Sequence, residues 1–392
     1  MSGRDERAPA STACLACARR SWLLSELGGP LEYCARDRTR LLEVLALGDR
    51  ELLKALAGRR AAELSALYAD FHIGEPGSAQ DVERICRHCA GYPHGLEGRY
   101  GPHMLQVLGG SQRLVELAGG PSVAILGSTA ASDYGLASAR SIARGLGASG
   151  VTVIAGLTDG IAAAAHTGAL DANGASVAVM GGGLDVACPA RRRSLYGRIR
   201  ERGCAVSELP VGCRGRRWGQ LASERIVVEL ARVTVLVEAE DTPAGLAGAR
   251  LAQARGRTLA AIPGRICSPL SRGTNAMLME GASLVRGARD VLELLGPLGG
   301  SGVAPATAST GLAGPASNPL AGLGSDPLAG LTTGLRATLE RVGAGCDTPD
   351  RLARAGEDPA AVLLALTELE LLGLVIRGDG GRYVPCEPLT GM

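Results

Sequence analysis

The sequence predicts an α/β fold built on a doubly wound parallel sheet. A helical domain precedes the sheet and a small helix-and-hairpin domain follows it. Three observations carry this. From Pro121 onward, short runs of apolar residues alternate with helical stretches. Strands that are apolar on both faces belong to a parallel sheet covered by helices on either side. Residues 296–330 are dominated by Gly, Ala, Pro, Ser and Leu and contain no basic residue, which is the composition of a flexible linker. Beyond the linker, three helical segments precede two short strands separated by glycines.

In chain order, residues 1–120 read as short helices. Leu41–Gly58 and Ala61–Phe71 repeat Leu, Val, Ala or Tyr every three or four residues, with little β-branched content. The sheet domain spans 121–295. Its expected strands are Ser122–Leu126, Val151–Ala155, Ser176–Met180, Cys204–Glu208, Val233–Ala239 and Thr258–Gly264, with helices at Tyr134–Leu146, Asp159–Asp171, Ser223–Leu230 and Ala244–Ala254. This is a Rossmann-like plan. After the linker, 331–392 holds helices at Leu335–Val342, Thr348–Ala355 (Thr348 as N-cap) and Asp358–Leu372. The runs LVIR and RYVP then pair around GDGG. Three helices followed by a two-stranded wing make a winged-helix domain.

At 392 residues the chain is longer than one hydrophobic core usually supports, since cores stop growing near ~250–300 residues. Hydrophobic residues form 46% of it and charged residues 20%, which excludes a long disordered protein. No apolar run of ~18 residues is present and no apolar segment follows the first charges, so neither a membrane span nor a secretory signal is expected. Eleven scattered cysteines do not make a secreted disulfide framework, and a reducing cytoplasm is the expected compartment.

The net charge of +2 hides a division. Residues 121–290 carry 20 Arg against 13 acidic residues, a net of +7, whereas 331–392 carry 6 against 9 and 1–120 carry 15 against 15. The densest basic clusters are Arg191, Arg192 and Arg193, and Arg214, Arg216 and Arg217. Both follow expected strands, on the side of an open α/β sheet where ligands bind. Glycines stand after three strands: Gly127 with Ser128, Gly156 with Gly160, and Gly181, Gly182 and Gly183. Glycine lets the backbone approach an anion closely, and helix N-termini offer N–H donors to phosphate. Together the loops and the arginines point to a nucleic acid or a nucleotide.

No GxSxG, HExxH or GxxxxGK[ST] motif is present, so serine hydrolase, zincin and P-loop chemistry lack their residues, and an enzyme is not expected. His166, among alanines, reads as a packed histidine. Glu208 and Glu238 follow strands, where they would serve as bases, as partners of a sugar hydroxyl or as structural groups.

Taken in order, several motifs resemble the DNA-processing protein A (DprA/Smf) family. They are VAILGS with YG (Val123–Ser128, Tyr134–Gly135), AGLTDGI with AH (Ala155–Ile161, Ala165–His166), GGGLD (Gly181–Asp185) and SELP (Ser207–Pro210). Further on come ERIV (Glu224–Val227), VLVEA (Val235–Ala239), IPG (Ile262–Gly264) and SRGTNAMLMEGA (Ser271–Ala282). The resemblance implies a single-stranded DNA-binding recombination mediator. Such a protein dimerises, protects incoming DNA, loads the RecA recombinase in natural transformation, and is no enzyme. It adds Arg225, Gly273 and Asn275 to the expected DNA-binding residues.

The chain departs from the family at several points. Thr129 stands where a phosphate-binding Arg is expected, and Ser223-Glu224-Arg225 replaces Arg-Asn-Arg. Ala162 ends the Gly-Ile-Asp motif, Pro243–Leu246 replaces Ser-Gly-Ser-Leu, and Cys188–Arg192 replaces Tyr-Pro-x-x-Asn. Two lost cationic contacts flatten the salt dependence of binding by ~2 in slope at most. Two other readings use the same loops: a binder of nucleotides or nucleotide-derived ligands, and a phosphoribohydrolase-like enzyme acting on nucleoside monophosphates.

Two flanking features complete the sequence. Cys14-x-x-Cys17 and Cys86-x-x-Cys89 have the spacing of thiolate pairs that chelate a structural zinc, with Cys34 and His88 as substitute ligands and reduced buried thiols as the alternative. The helix in the recognition position of the winged helix, Asp358–Leu374, contains Asp358, Glu368 and Glu370 and no basic residue. A helix that reads a major groove needs Arg, Lys, Asn or Gln on that face, so this one is expected to meet protein.

Overall fold

The computed structural model describes residues 13–73, 82–185, 192–296, 331–343, 348–349, 352, 358–372, 374–377 and 383–385. Arg191, the expected linker beyond residue 296 and the wing turn lie outside the described residues. The chain forms two compact units, Met1–Gly302 and Val303–Met392.

The first unit is organised by one nine-stranded sheet with spatial order β1-β2-β6-β5-β4-β3-β7-β8-β9. Its parallel part comprises β3 (Ser122–Leu126), β4 (Thr152–Gly156), β5 (Ser176–Met180), β6 (Cys204–Ser207), β7 (Val233–Leu236), β8 (Thr258–Ala261) and the short β9 (Ser283–Leu284). The strands β3, β6 and β7 are buried throughout and β5 almost so, which is why their sequences lack polar alternation. The covering helices in this region are α7 (Asp133–Ala148), α8 (Ile161–Asp171), α9 (Arg193–Arg202), α10 (Arg217–Leu230), α11 (Ala247–Ala254), α12 (Pro269–Met279) and α13 (Ala288–Leu295). Strand order reverses between β3 and β7, so the crevice beyond their carboxyl ends is the switch point of the sheet.

The first 120 residues differ from expectation in two ways. They supply two strands, β1 (Val82–Cys86) and β2 (Met104–Leu108); β2 pairs antiparallel with β6 and β1 antiparallel with β2, which makes the sheet mixed. They also share a core with the sheet domain. The helices α1 (Leu15–Glu26), α2 (Gly28–Cys34), α3 (Arg38–Leu45), α4 (Asp49–Leu56) and α5 (Ala61–Ala69) pack their leucines with Leu209, Trp218 and Ala222. The boundary expected at residue 120 therefore separates no compact units, and α6 (Ser111–Gly119) leads directly into β3. The expected helix Leu41–Gly58 is broken at Gly48. There the guanidinium of buried Arg20 donates to the carbonyls of Leu45 and Leu47 and pairs with Asp49 at 2.7 Å, while Glu51 accepts the Gly48 N–H. Carbonyls at a helix end need such donors.

In the second unit, α14 (Thr333–Gly343) and α15 (Pro359–Leu371) share a core with Leu352, Leu374, Val375 and Tyr383. The strands β10 (Val375–Arg377) and β11 (Tyr383–Pro385) pair antiparallel. Asp358 caps α15 by accepting the Ala360 N–H. Two helices and a strand pair are thus in place, while most of the expected middle helix, Thr348–Ala355, lies outside the described residues.

Candidate nucleic-acid interface

All loops that follow β3 to β8 leave the parallel sheet at the same end. At the switch point, the Ser128 N–H donates to the Glu238 carbonyl at 2.7 Å, and the Ser128 carbonyl accepts the Ile161 N–H at 3.1 Å. Gly127 packs on Ile161 and the Glu238 carbonyl. Gly160 precedes α8 with φ 68°, and a Cβ there would meet the Ser128 carbonyl. The first two glycine loops therefore pack against each other.

The carboxylate of Glu238 is buried and accepts both the N–H (2.9 Å) and the hydroxyl (2.6 Å) of Ser132, the residue that caps α7. An internal anion thus sits at the helix start where a dinucleotide-binding fold would hold a phosphate. Of the roles open to Glu238, this geometry assigns the structural one.

The third glycine loop is filled by protein as well. Gly181 lies against the backbone of Gly219 and Gln220, Gly182 against Gly215, and Gly183 against Pro210, and the Gly183 N–H donates to the Cys213 carbonyl. The carbonyl of Gly182 accepts the Ser207 hydroxyl at 2.7 Å. The carbonyl of Gly156 lies beside the His166 ring. Gly273 donates to the Ala239 carbonyl, and Asn275 pairs both of its amide atoms with the backbone of Gly264 at 3.1 Å. Most of these residues let one backbone segment approach another.

Arg225, expected among the DNA-binding residues, is enclosed by protein. It is buried, donates to the carbonyls of Tyr100 and Ala222, and pairs with Glu208 at 2.6 Å. It holds α10 to the sheet and presents nothing to a ligand. Arg192 donates from Nε to Asp159 at 2.9 Å, tying the start of α9 to the loop after β4.

Many of the remaining arginines are paired: Arg140 and Arg198 with Asp171, Arg250 with Glu280, Arg255 and Arg257 with Glu229, and Arg286 with Asp290. Arg144 on α7 and Arg202 at the end of α9 are exposed and make no ion pair among the described residues. Arg193, Arg214, Arg216, Arg217, Arg265 and Arg272 are exposed and make no ion pair among the described residues. All six lie in loops or first helical turns after β5, β6 and β8, at the carboxyl end of the sheet. Tyr134 at the start of α7, half-exposed and donating to the Pro263 carbonyl, adds an aromatic ring at this end. Neither Arg265 nor Arg272 stands out in sequence, since neither belongs to a cluster. Thr129 is exposed in the loop after β3.

His166 is fully buried. Its Nε2 lies 3.2 Å from the Gly156 carbonyl and its Nδ1 lies 2.7 Å from the hydroxyl of Ser176, which donates to the Val153 carbonyl at 2.9 Å. Burial pushes its pKa down to about 4, and burial with nearby arginines does the same to His103. Both fold neutral. Between about pH 4 and the ordinary histidine value near ~6.5, the unfolded chain binds more protons, so stability falls as pH drops through that window. Thermal unfolding midpoints should therefore decline between pH 6.5 and 5, and His166→Gln should remove about half of that slope. An unchanged slope would contradict the buried neutral state.

The site and fold together define a Rossmann-like α/β protein with a basic ligand face and no assembled catalytic group among the described residues. The family model of DNA recombination-mediator protein A matches residues 83–296, and the chain belongs to that family. A DNA processing protein DprA of Mycobacterium tuberculosis is 37% identical over 286 residues, covering 72% of this chain and 68% of the relative. The corresponding protein of Streptococcus pneumoniae is 34% identical over 263 residues, covering 64% and 91%. The X-ray structure of DNA processing protein A from Streptococcus pneumoniae superposes with a TM-score of 0.55 at 27% identity, covering 70% of this chain and 97% of that one. No helix among the described residues is long and apolar enough to cross a membrane.

Proposed function

We propose that this chain is a recombination mediator that binds single-stranded DNA across the carboxyl end of its sheet, forms a homodimer, and passes the strand to a RecA-type recombinase during natural transformation. One observation carries the DNA part. Six exposed arginines that make no ion pair among the described residues, Arg193, Arg214, Arg216, Arg217, Arg265 and Arg272, stand in loops or first helical turns at the carboxyl end of the sheet. A guanidinium fork suits phosphate. Several such groups on separate loops suit a backbone of repeated phosphates. Tyr134 supplies a stacking surface for a base.

The nucleotide-binding reading is weaker, because Glu238 fills the α7 start at the switch point. The phosphoribohydrolase reading loses both of its candidate bases, with Glu238 bound to Ser132 and Glu208 to Arg225. The proposal assigns no catalytic step.

Residues 331–392 we take to be a winged-helix domain that meets protein. On α15, Glu368 and Glu370 are exposed alongside Leu363 and Leu364, a face that repels phosphate and offers apolar contact. The test of the main proposal is a titration of a labelled ~20-mer of oligo-dT. Binding should fall steeply with salt. Failure to bind at low salt would overturn the proposal.

A further inference from the structure

The N-terminal helices and the edge of the sheet meet at a cluster that the DNA face does not use. Cys14 is the N-cap of α1 and Cys17 lies in its first turn, while Cys86 ends β1 and His88 follows two residues later. The two segments are 72 residues apart in sequence, yet they place three sulfurs and one imidazole nitrogen within 4.8 Å of one another. His88 Nδ1 lies 3.3 Å from Cys14 Sγ and 3.5 Å from Cys17 Sγ. In a tetrahedral zinc site, the usual bond lengths give edges of about 3.6 Å for S···N and about 3.8 Å for S···S. The observed spacing is close to that.

We propose that Cys14, Cys17, Cys86 and His88 hold a structural zinc ion. Three thiols, once their protons pass to solvent, are soft ligands that select zinc over the oxygen-seeking cations. Four protein ligands leave no open position for a substrate, so the ion is structural. The set differs from the two Cys-x-x-Cys pairs of the sequence, because His88 takes the fourth position. Cys89 instead lies beside it, 3.5 Å from Cys86 Sγ and accepting the Cys86 N–H.

The ion would tie the start of α1 to the end of β1, the edge strand of the sheet. Around it, Ala13, Ala18 and Met104 form a small apolar cluster of their own, too small to hold that junction by burial alone.

Elemental analysis of full-length protein, purified without an affinity tag and dialysed against metal-free buffer, tests the proposal. About one zinc per chain is expected, and a strong chelator should lower the unfolding midpoint. Cobalt-loaded protein should show the intense visible bands of tetrahedral thiolate coordination, a readout that needs no variant. Cys17→Ser and Cys86→Ser should lose the metal, and Cys89→Ser should keep it. Wild-type protein with less than ~0.3 zinc per chain and a midpoint indifferent to chelation would overturn the site. Loss of zinc in Cys89→Ser with retention in His88→Ala would overturn the ligand set.

Discussion

Replacing Arg214, Arg216 and Arg217 together with alanine should weaken binding of a ~20-mer of oligo-dT by at least about 30-fold near 0.1 M salt, and flatten the logarithmic salt dependence by about 2. The reasoning is local. All three side chains are exposed, none makes an ion pair among the described residues, and they stand in the turn before α10 and at its first residue. Each phosphate neutralised on a single strand releases about 0.7 of a counterion, so three lost contacts remove about 2 from the slope. Because none of the three is buried, the unfolding midpoint should not move appreciably. Removing Arg140, exposed but paired with Asp171 on a helix flank, serves as the control and should leave the slope unchanged. A triple variant that binds within a factor of two of wild type would remove this segment from the interface.

Arg225→Ala should behave in the opposite way, with a large loss of stability. The guanidinium is buried with Glu208 and also donates to the carbonyls of Tyr100 and Ala222. Removing it strands a buried carboxylate and two acceptors, which costs about 3–5 kcal/mol. For a unit of this size, that lowers the thermal midpoint by about 10 °C. Arg225→Lys should recover little, since an ammonium cannot serve these acceptors in the same planar arrangement. Variant protein still folded at low temperature should bind oligo-dT with the wild-type salt slope, because Arg225 does not face the strand. A stable Arg225→Ala protein with a flattened slope would restore the reading of Arg225 as a phosphate contact.

The same contrast shows what the sequence revealed. β3 and β5 were legible to the residue, because four successive apolar residues after a serine carry no competing pattern. β1 and β2 were not. VERIC, at a sheet edge, shows neither strict alternation nor a continuous apolar run, and the short MLQVL of β2 is interrupted by Gln106.

For the site, the charge division between domains pointed to the sheet domain, but residue type alone could not separate a free arginine from a paired one. Arg225 carried a usable signal. It falls beside Ile226 on the helical stripe formed by Trp218, Ala222 and Glu229, all buried, so its periodicity indicated an inward-facing position. The glycine loops misled for a physical reason. Close approach to an anion and close approach to another backbone require the same missing side chain, and only the packing of Gly181 against Gly219 and Gln220 tells them apart. At the cysteine cluster the spacing named three of the four atoms that converge. The fourth is His88, which the sequence offered only as a substitute ligand beside Cys34, and the structure brings it in where Cys89 was expected.

The central claim is that the unpaired arginines form one face for a strand of repeated phosphates. The most direct measurement is a fluorescence titration of the full chain with labelled oligo-dT of ~20 nucleotides, repeated across salt and in the presence of excess nucleoside monophosphate. The prediction is tight binding at low salt that weakens steeply as salt rises and is barely displaced by the mononucleotide. Binding that saturates with the mononucleotide and ignores salt, or no binding of the oligonucleotide at low salt, would contradict it.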